Sequence, residues 1–171
     1  MEETQPFNQS VEMNPEPPKV DAINSEDKER FFKSILANTP YEETIGLFDG
    51  QMKVRFRAMS VKENSDVVDQ IVRDKKSGMA AENDAYFITI STYRLAVSLV
   101  SVDDQEYSSV TKDNFSETSE NDTYILARSK PMQSWATPKL SLFLDAFQKF
   151  EAKLVKLTNE VQTANFWKAS A

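Results

Sequence analysis

Apolar positions change period along the chain, and each change marks an element. Phe31, Phe32, Ile35 and Leu36 recur at helical spacing behind Asn24 or Ser25, either of which can cap a helix. Glu26, Asp27 and Glu29 fall in its first turn, where the helix dipole favours anions. Asn38-Thr39-Pro40 ends it, because the residue before a proline is pushed out of the α region. The period then drops to two. Met52, Val54, Phe56 and Ala58 alternate with Lys53, Arg55 and Arg57, which predicts a strand with one apolar and one cationic face. Thr44-Ile45-Gly46-Leu47-Phe48 precedes it through Asp49-Gly50, a dipeptide suited to a type I′ turn, so residues 44–58 read as a hairpin. Its cationic face reads as the wet side of an edge hairpin, where charge discourages strand addition.

Ser60-Val-Lys-Glu63 has the spacing of a capping box, and Val67, Val68, Ile71 and Val72 mark the buried stripe of the helix behind it. Arg73, Lys75 and Lys76 complete its last turn and Gly78 fits the C-terminal cap. Residues 84–102 are apolar and β-branched. Their unbroken length, with Ala85, Ile88, Thr92, Leu95 and Leu99 at helical spacing, predicts one central and most buried helix. Seven acids (Asp103, Asp104, Glu106, Asp113, Glu117, Glu120, Asp122) and one lysine (Lys112) then give residues 103–122 a net charge of −6, read as a long polar loop. Tyr124 to Ala127 forms a short apolar island, and Met132 to Trp135 a second anchor.

The C-terminal segment has the most regular pattern. Thr137 can cap and Pro138 suits the first helical position. Leu140, Phe143, Phe147, Phe150, Leu154, Leu157, Val161 and Ala164 follow in alternating steps of three and four, an a/d seam over more than three heptads. The expected helix has about 27 residues and a length of roughly 40 Å. Two readings follow. The seam packs inside the chain, or its far half projects onto a partner. Phe147, Phe150, Leu154, Leu157 and Val161, with Phe166 and Trp167 behind them, are the candidate partner-binding residues. Five lysines (Lys139, Lys149, Lys153, Lys156, Lys168) against three acids (Asp145, Glu151, Glu160) make this segment positive, complementary to the acidic loop or to an acidic partner.

These elements define a mainly α protein with a small β-hairpin (α+β), a helical bundle with a long heptad-patterned C-terminal helix. Residues 1–24, with four prolines and few large apolar residues, read as a disordered, acidic, Pro-rich tail, and residues 25–171 as a single α-rich domain. Composition narrows the chemistry. The 171 residues include no histidine and no cysteine, which removes the commonest general base, metal ligand and nucleophilic thiol. The three glycines are too scattered to cradle phosphate. Asp103-Asp104-Gln105-Glu106 resembles half of a Ca²⁺ loop without its glycine or distal glutamate. The pairs Glu42-Glu43 and Asp103-Asp104 read as solvated carboxylates. No catalytic residue, cofactor or metal site is expected, and the chain reads as a non-enzyme. A net charge of −7 makes nucleic acid a poor fit. No apolar run is long enough to span a membrane, and the acidic N-terminus is not a targeting signal, which points to the cytosol or to something assembled there.

One strand reads Met52-Lys-Val-Arg-Phe-Arg-Ala-Met59 and leads into Ser60-Val-Lys-Glu63. Then come an apolar helix with Tyr93-Arg94-Leu95-Ala96, an acidic turn, and a last helix ending Asn165-Phe-Trp-Lys-Ala-Ser170. Over roughly residues 31–170 this order resembles small morphogenesis proteins of long-tailed bacteriophages: tail assembly chaperones and related baseplate-hub proteins encoded near the tape-measure protein. The resemblance implies a non-enzymatic protein that covers apolar helices of the tape-measure protein or joins the hub at the tail tip. Its place would be the virion tail or baseplate, or the host cytoplasm during assembly, with a second copy of the chain as a further candidate partner. A different class fits the acidity: a host-directed binding or inhibitor protein presenting residues 1–24 and 103–122 as its charged surface. Apolar binding should survive high salt, whereas acidic mimicry should weaken steeply.

Overall fold

The alternation at 52–58 organises the fold. In the computed structural model, which describes residues 23–78, 84–119 and 122–163, β1 (Glu42–Leu47) and β2 (Met52–Arg57) pair as an antiparallel hairpin with Ile45 opposite Val54 and Leu47 opposite Met52. The register is the one an Asp49-Gly50 turn would give, but the ladder opens one pair sooner. Positive φ falls at Phe48 (51°), Asp49 (54°) and Gly50 (85°), and the Gly50 N–H reaches the Leu47 carbonyl at 3.1 Å. Phe48 faces outward and is exposed, so no core contact holds the last pair shut.

β2 is interior rather than an edge strand. β3 (Leu99–Val102) pairs along its other side, with a bulge between Arg55 and Phe56, and β4 (Gln105–Glu106) completes an antiparallel sheet in the order β1-β2-β3-β4. Lys53 and Arg55 therefore stand on the wet face of an interior strand, while Arg57 turns to Glu63 at 2.9 Å. The acidic run read as half a Ca²⁺ loop is the β3–β4 turn. Asp103 and Asp104 take φ of 48° and 61° between the paired Val102 and Gln105, the two-residue geometry that matches strand twist. Asp103 also accepts the Lys53 N–H at 2.7 Å on its carboxylate, so this acid is structural.

Two helices are inserted between β2 and β3. α2 (Val61–Lys76) opens with the expected capping box: the Ser60 hydroxyl accepts the Glu63 N–H at 3.2 Å, and the Glu63 carboxylate accepts the Ser60 N–H at 2.9 Å. Burial alone would raise the Glu63 carboxyl, but Arg57 and Ser60 hold it below its ordinary value. A carboxyl depressed by folding stabilises fully above about pH 5, and that contribution fades as pH falls through and below the ordinary carboxylate range. Glu63→Gln is therefore expected to lower the urea midpoint at pH 7, with the gap to the parent chain narrowing at low pH. An unchanged gap would mean that the Glu63 charge is not what folding holds.

The buried stripe of α2 is half of the one expected. Val67 and Ile71 are buried together with Gln70, whereas Val68 and Val72 are exposed. At about 100° per residue they lie roughly a quarter turn from Val67 and Ile71. The apolar run 84–102 also divides. α3 (Asp84–Ser98) is buried near its C-terminal end, at Tyr93 and from Leu95 to Ser98, whereas Phe87 and Ile88 are exposed. Leu99, read as helical, begins β3 instead, because β-branched Val100 and Val102 find an open side of β2 to pair with.

The helix-to-strand change strands backbone carbonyls that a continuing helix would satisfy. Arg128 supplies the donors. It lies in α4 (Tyr124–Ser129), and its Nε reaches the Ala96 carbonyl at 2.8 Å, Nη2 the Leu99 carbonyl at 2.9 Å and Nη1 the Val110 carbonyl at 2.5 Å. Burial pushes this guanidinium below its usual value. The expected loop at 103–122 is thereby pinned: the Tyr107 hydroxyl donates to the Arg128 carbonyl at 2.6 Å, and Val110 and Phe115 pack on the cluster around Val67, Ile71, Tyr93 and Ile125. A 3₁₀ turn (Lys130–Ser134) buries Met132, and Trp135 meets Phe143 at 4.8 Å between ring centres.

α5 (Thr137–Val161) closes the domain. Its cap is Ala136, which has no side-chain acceptor, and Thr137 is the first helical residue, with Pro138 in the first turn. α1 (Ser25–Ala37) is capped by Asn24, whose side chain accepts the Asp27 N–H at 2.8 Å, and ends at Asn38 in the left-handed region. Of the expected tail, residues 1–22 lie outside the described residues, while Ile23 already packs on the core. Among the described residues the protein is mainly α, about 59% helical, with a small four-stranded sheet.

Candidate partner-binding surface

The C-terminal seam is occupied by the chain itself. Phe143, Phe147, Phe150 and Leu157 are buried, and Leu140, Leu154 and Val161 are half-buried against the same core. Phe56 of β2 sits 5.7 Å from the rings of both Phe147 and Phe150, and Tyr41 stacks on Phe150 at 6.3 Å. The far half of the helix does not project over its described length. Lys28 of α1 pairs with Glu160 at 2.6 Å, and Leu157 beside it is fully buried. Phe147, Phe150 and Leu157 are thus core residues rather than partner contacts, because the inner face of the sheet and α1 need a cover. Leu154 and Val161 border that core. Phe166 and Trp167 lie outside the described residues.

The positive charge of α5 is also used within the fold, and among the described residues the ion pairs of its lysines are with α1, β1 and α5 itself rather than with the acidic loop. Lys153 lies between Asp27 of α1, at 2.9 Å, and Glu43 of β1, at 2.7 Å. Burial would depress its ammonium, but the two carboxylates raise it above the ordinary lysine value. Glu43, read as one of a solvated pair, is in this cluster, whereas Glu42 is exposed. The lone lysine of the acidic loop, Lys112, pairs with Asp66 of α2.

Exposed apolar side chains gather elsewhere, on the inserted helices. α2 and α3 run antiparallel: Lys75 sits over the Tyr86 ring at one end, and Arg94 Nη1 reaches Asn64 at 3.1 Å at the other. Val68 and Val72 follow Asn64 by one and two turns, and Phe87 precedes Arg94 by two turns. All three therefore flank the edge where the helices meet. Phe87 is 63% exposed and stands edge-on to Tyr86 at 5.5 Å. Val61, seven residues before Val68, is 90% exposed and extends the strip to the start of α2. α2 thus carries two apolar stripes, one packed on α4 and one open. The sequence pattern marked Val68 and Val72 as apolar positions of this helix but assigned them to the core. Phe87 belongs to the run 84–102 expected to be most buried and is exposed instead, and Val61 stands alone inside the capping box, so neither signals an open edge.

Among the described residues no three acidic side chains converge into a group that could hold a metal ion. No described helix is long and apolar enough to cross a membrane. Comparison of the chain with protein-family models, with curated proteins and with solved structures returns no match.

Proposed function

We propose that the protein works without making or breaking bonds, by holding another protein against the open edge of α2 and α3. In the setting its sequence resembles, it is a tail or baseplate morphogenesis protein of a long-tailed bacteriophage. The partner would be the tape-measure protein or a hub component. One observation carries the reading: Val61, Val68, Val72 and Phe87 are large apolar side chains that the fold leaves in solvent along one helical edge. An edge of this length suits an amphipathic helix, which lays its apolar side into a groove between two others. The acidic-mimic alternative loses ground because Asp103 is committed to the sheet and Lys112 to Asp66.

The test is affinity purification of the full chain from cells producing the particles, for the parent chain and for Val68→Asp/Phe87→Asp. Both sites are surface positions, so the variant is expected to keep its stability within about 1 kcal/mol. Recovery of the co-purifying tail protein is expected to fall at least about tenfold, as for loss of a central apolar anchor. The parent interaction should persist at high salt. Equal recovery by the two chains would overturn the assignment of this edge. Mass spectrometry of purified particles then separates a virion component from a chaperone that leaves.

A further inference from the structure

A cleft of about 480 Å³ opens between the C-terminal end of α2, the middle of α3, the 3₁₀ turn and the start of α5. Among the described residues its walls carry one formal charge, Asp74. The Asp74 carboxylate accepts the Gln70 side-chain amide at 2.8 Å on Oδ1 and the Tyr93 hydroxyl at 2.7 Å on Oδ2. Both donors are neutral, and the ion pairs found among the described residues involve other carboxylates. A carboxylate has about four acceptor positions, and these two donors are the ones it holds among the described residues. Ser77, at the carbonyl end of α2, lines the same space, where the helix dipole is negative and Arg73, Lys75 and Lys76 of the last turn offset part of it. The remaining walls combine apolar Ile88, Met132 and Leu140 with uncharged Thr92 and Gln133.

We propose that this cleft receives the side chain of a lysine from a partner protein, its ammonium on Asp74 and its methylenes along Ile88, Met132 and Leu140. The chemistry is specific. An anion would be repelled by the Asp74 carboxylate, and a purely apolar group would leave that carboxylate uncompensated. A guanidinium must find parallel acceptor positions on both oxygens beside the donors already there, whereas a compact ammonium can use either oxygen alone and fits better. The assignment rests on the protein-binding reading only for the source of the lysine. The charge and shape of the cleft stand independently of it.

The test is an NMR titration of the ¹⁵N-labelled full chain with three probes: Nα-acetyl-lysine methylamide, its norleucine counterpart and 1-aminopentane. The lysine derivative is expected to shift the amides of Asp74, Thr92 and Gln133 and to bind at least about fivefold tighter than norleucine, which lacks the ammonium. Asp74→Asn should erase that difference. Gln133→Lys, which places a cation at the mouth of the cleft from an exposed position, should block the lysine derivative even if Asp74→Asn folds poorly. Equal binding of lysine and norleucine, or no shifts at the cleft, overturns the proposal. Binding of 1-aminopentane tenfold tighter than the lysine derivative would assign the cleft to a free amine and overturn the protein source. If Val68→Asp/Phe87→Asp abolishes partner recovery while lysine and norleucine bind alike, the cleft fails and the helical edge stands.

Discussion

Phe150→Ala is expected to destabilise the protein by about 3–5 kcal/mol, the usual cost of emptying a buried phenylalanine site. Phe150 is 1% exposed and lies within ring contact of Tyr41, Phe56 and Phe147, which come from the approach to β1, from β2 and from α5 itself. Helices and sheet enclose the site from different directions, so little collapse can refill the space. For a chain of this size the melting temperature should fall by about 10 °C. Val155→Ala, on the outer side of the same helix, is the control and should shift stability by less than about 0.5 kcal/mol. Thermal unfolding followed by circular dichroism compares the two. Similar small losses in both would show that the seam is not the core and would return it to the list of partner surfaces.

Arg128→Ala is expected to cost about 3 kcal/mol, by a different route. Among the described residues no ion pair is lost. Three closely held backbone carbonyls, those of Ala96, Leu99 and Val110, lose a donor inside the protein, as does the Ser108 carbonyl at 3.4 Å, and each unsatisfied acceptor costs about 1 kcal/mol or more. Arg128→Lys should recover little of the loss, because a single ammonium cannot reach three acceptors that the planar guanidinium reaches at once. Amide hydrogen exchange should localise the effect, with protection lost over 96–110 before the β1–β2 pair is affected. Retained protection there would mean that the sheet, and not the guanidinium, fixes the α3–β3 junction.

What the sequence made legible follows from how local each feature is. The alternation at 52–58 and the capping box at Ser60 and Glu63 depend on neighbours a few residues away, and both are present in the fold. The C-terminal heptads were legible as a helix, yet not as core or interface, since a period says which side is apolar and not what covers it. The β3 strand was missed because Leu99 to Val102 continues an apolar run without a break, and its partner β2 lies some 40 residues earlier. Arg128 gave no signal. A charged residue at the end of a short apolar island looks like surface until three distant carbonyls converge on it. The open stripe of α2 was hidden for a related reason. Val67, Val68, Ile71 and Val72 form one apolar cluster in the sequence, and a helix of ordinary pitch must divide it between two directions.

The insertion of α2 and α3 between two paired strands also bears on how the chain acquires its shape. β1 and β2 are separated by four residues and can zip together within about 10 μs. β3 cannot join until a loop of about 40 residues has closed, and that entropy is reduced only once the inserted pair of helices brings its own ends together. Changes that weaken the Ser60 start of α2 should therefore slow refolding, whereas changes at the Phe48 turn should leave its rate nearly untouched. The open helical edge and the gate for completing the sheet reside in the same segment, so a partner that grips α2 and α3 early would also hasten the closing of β3 onto β2.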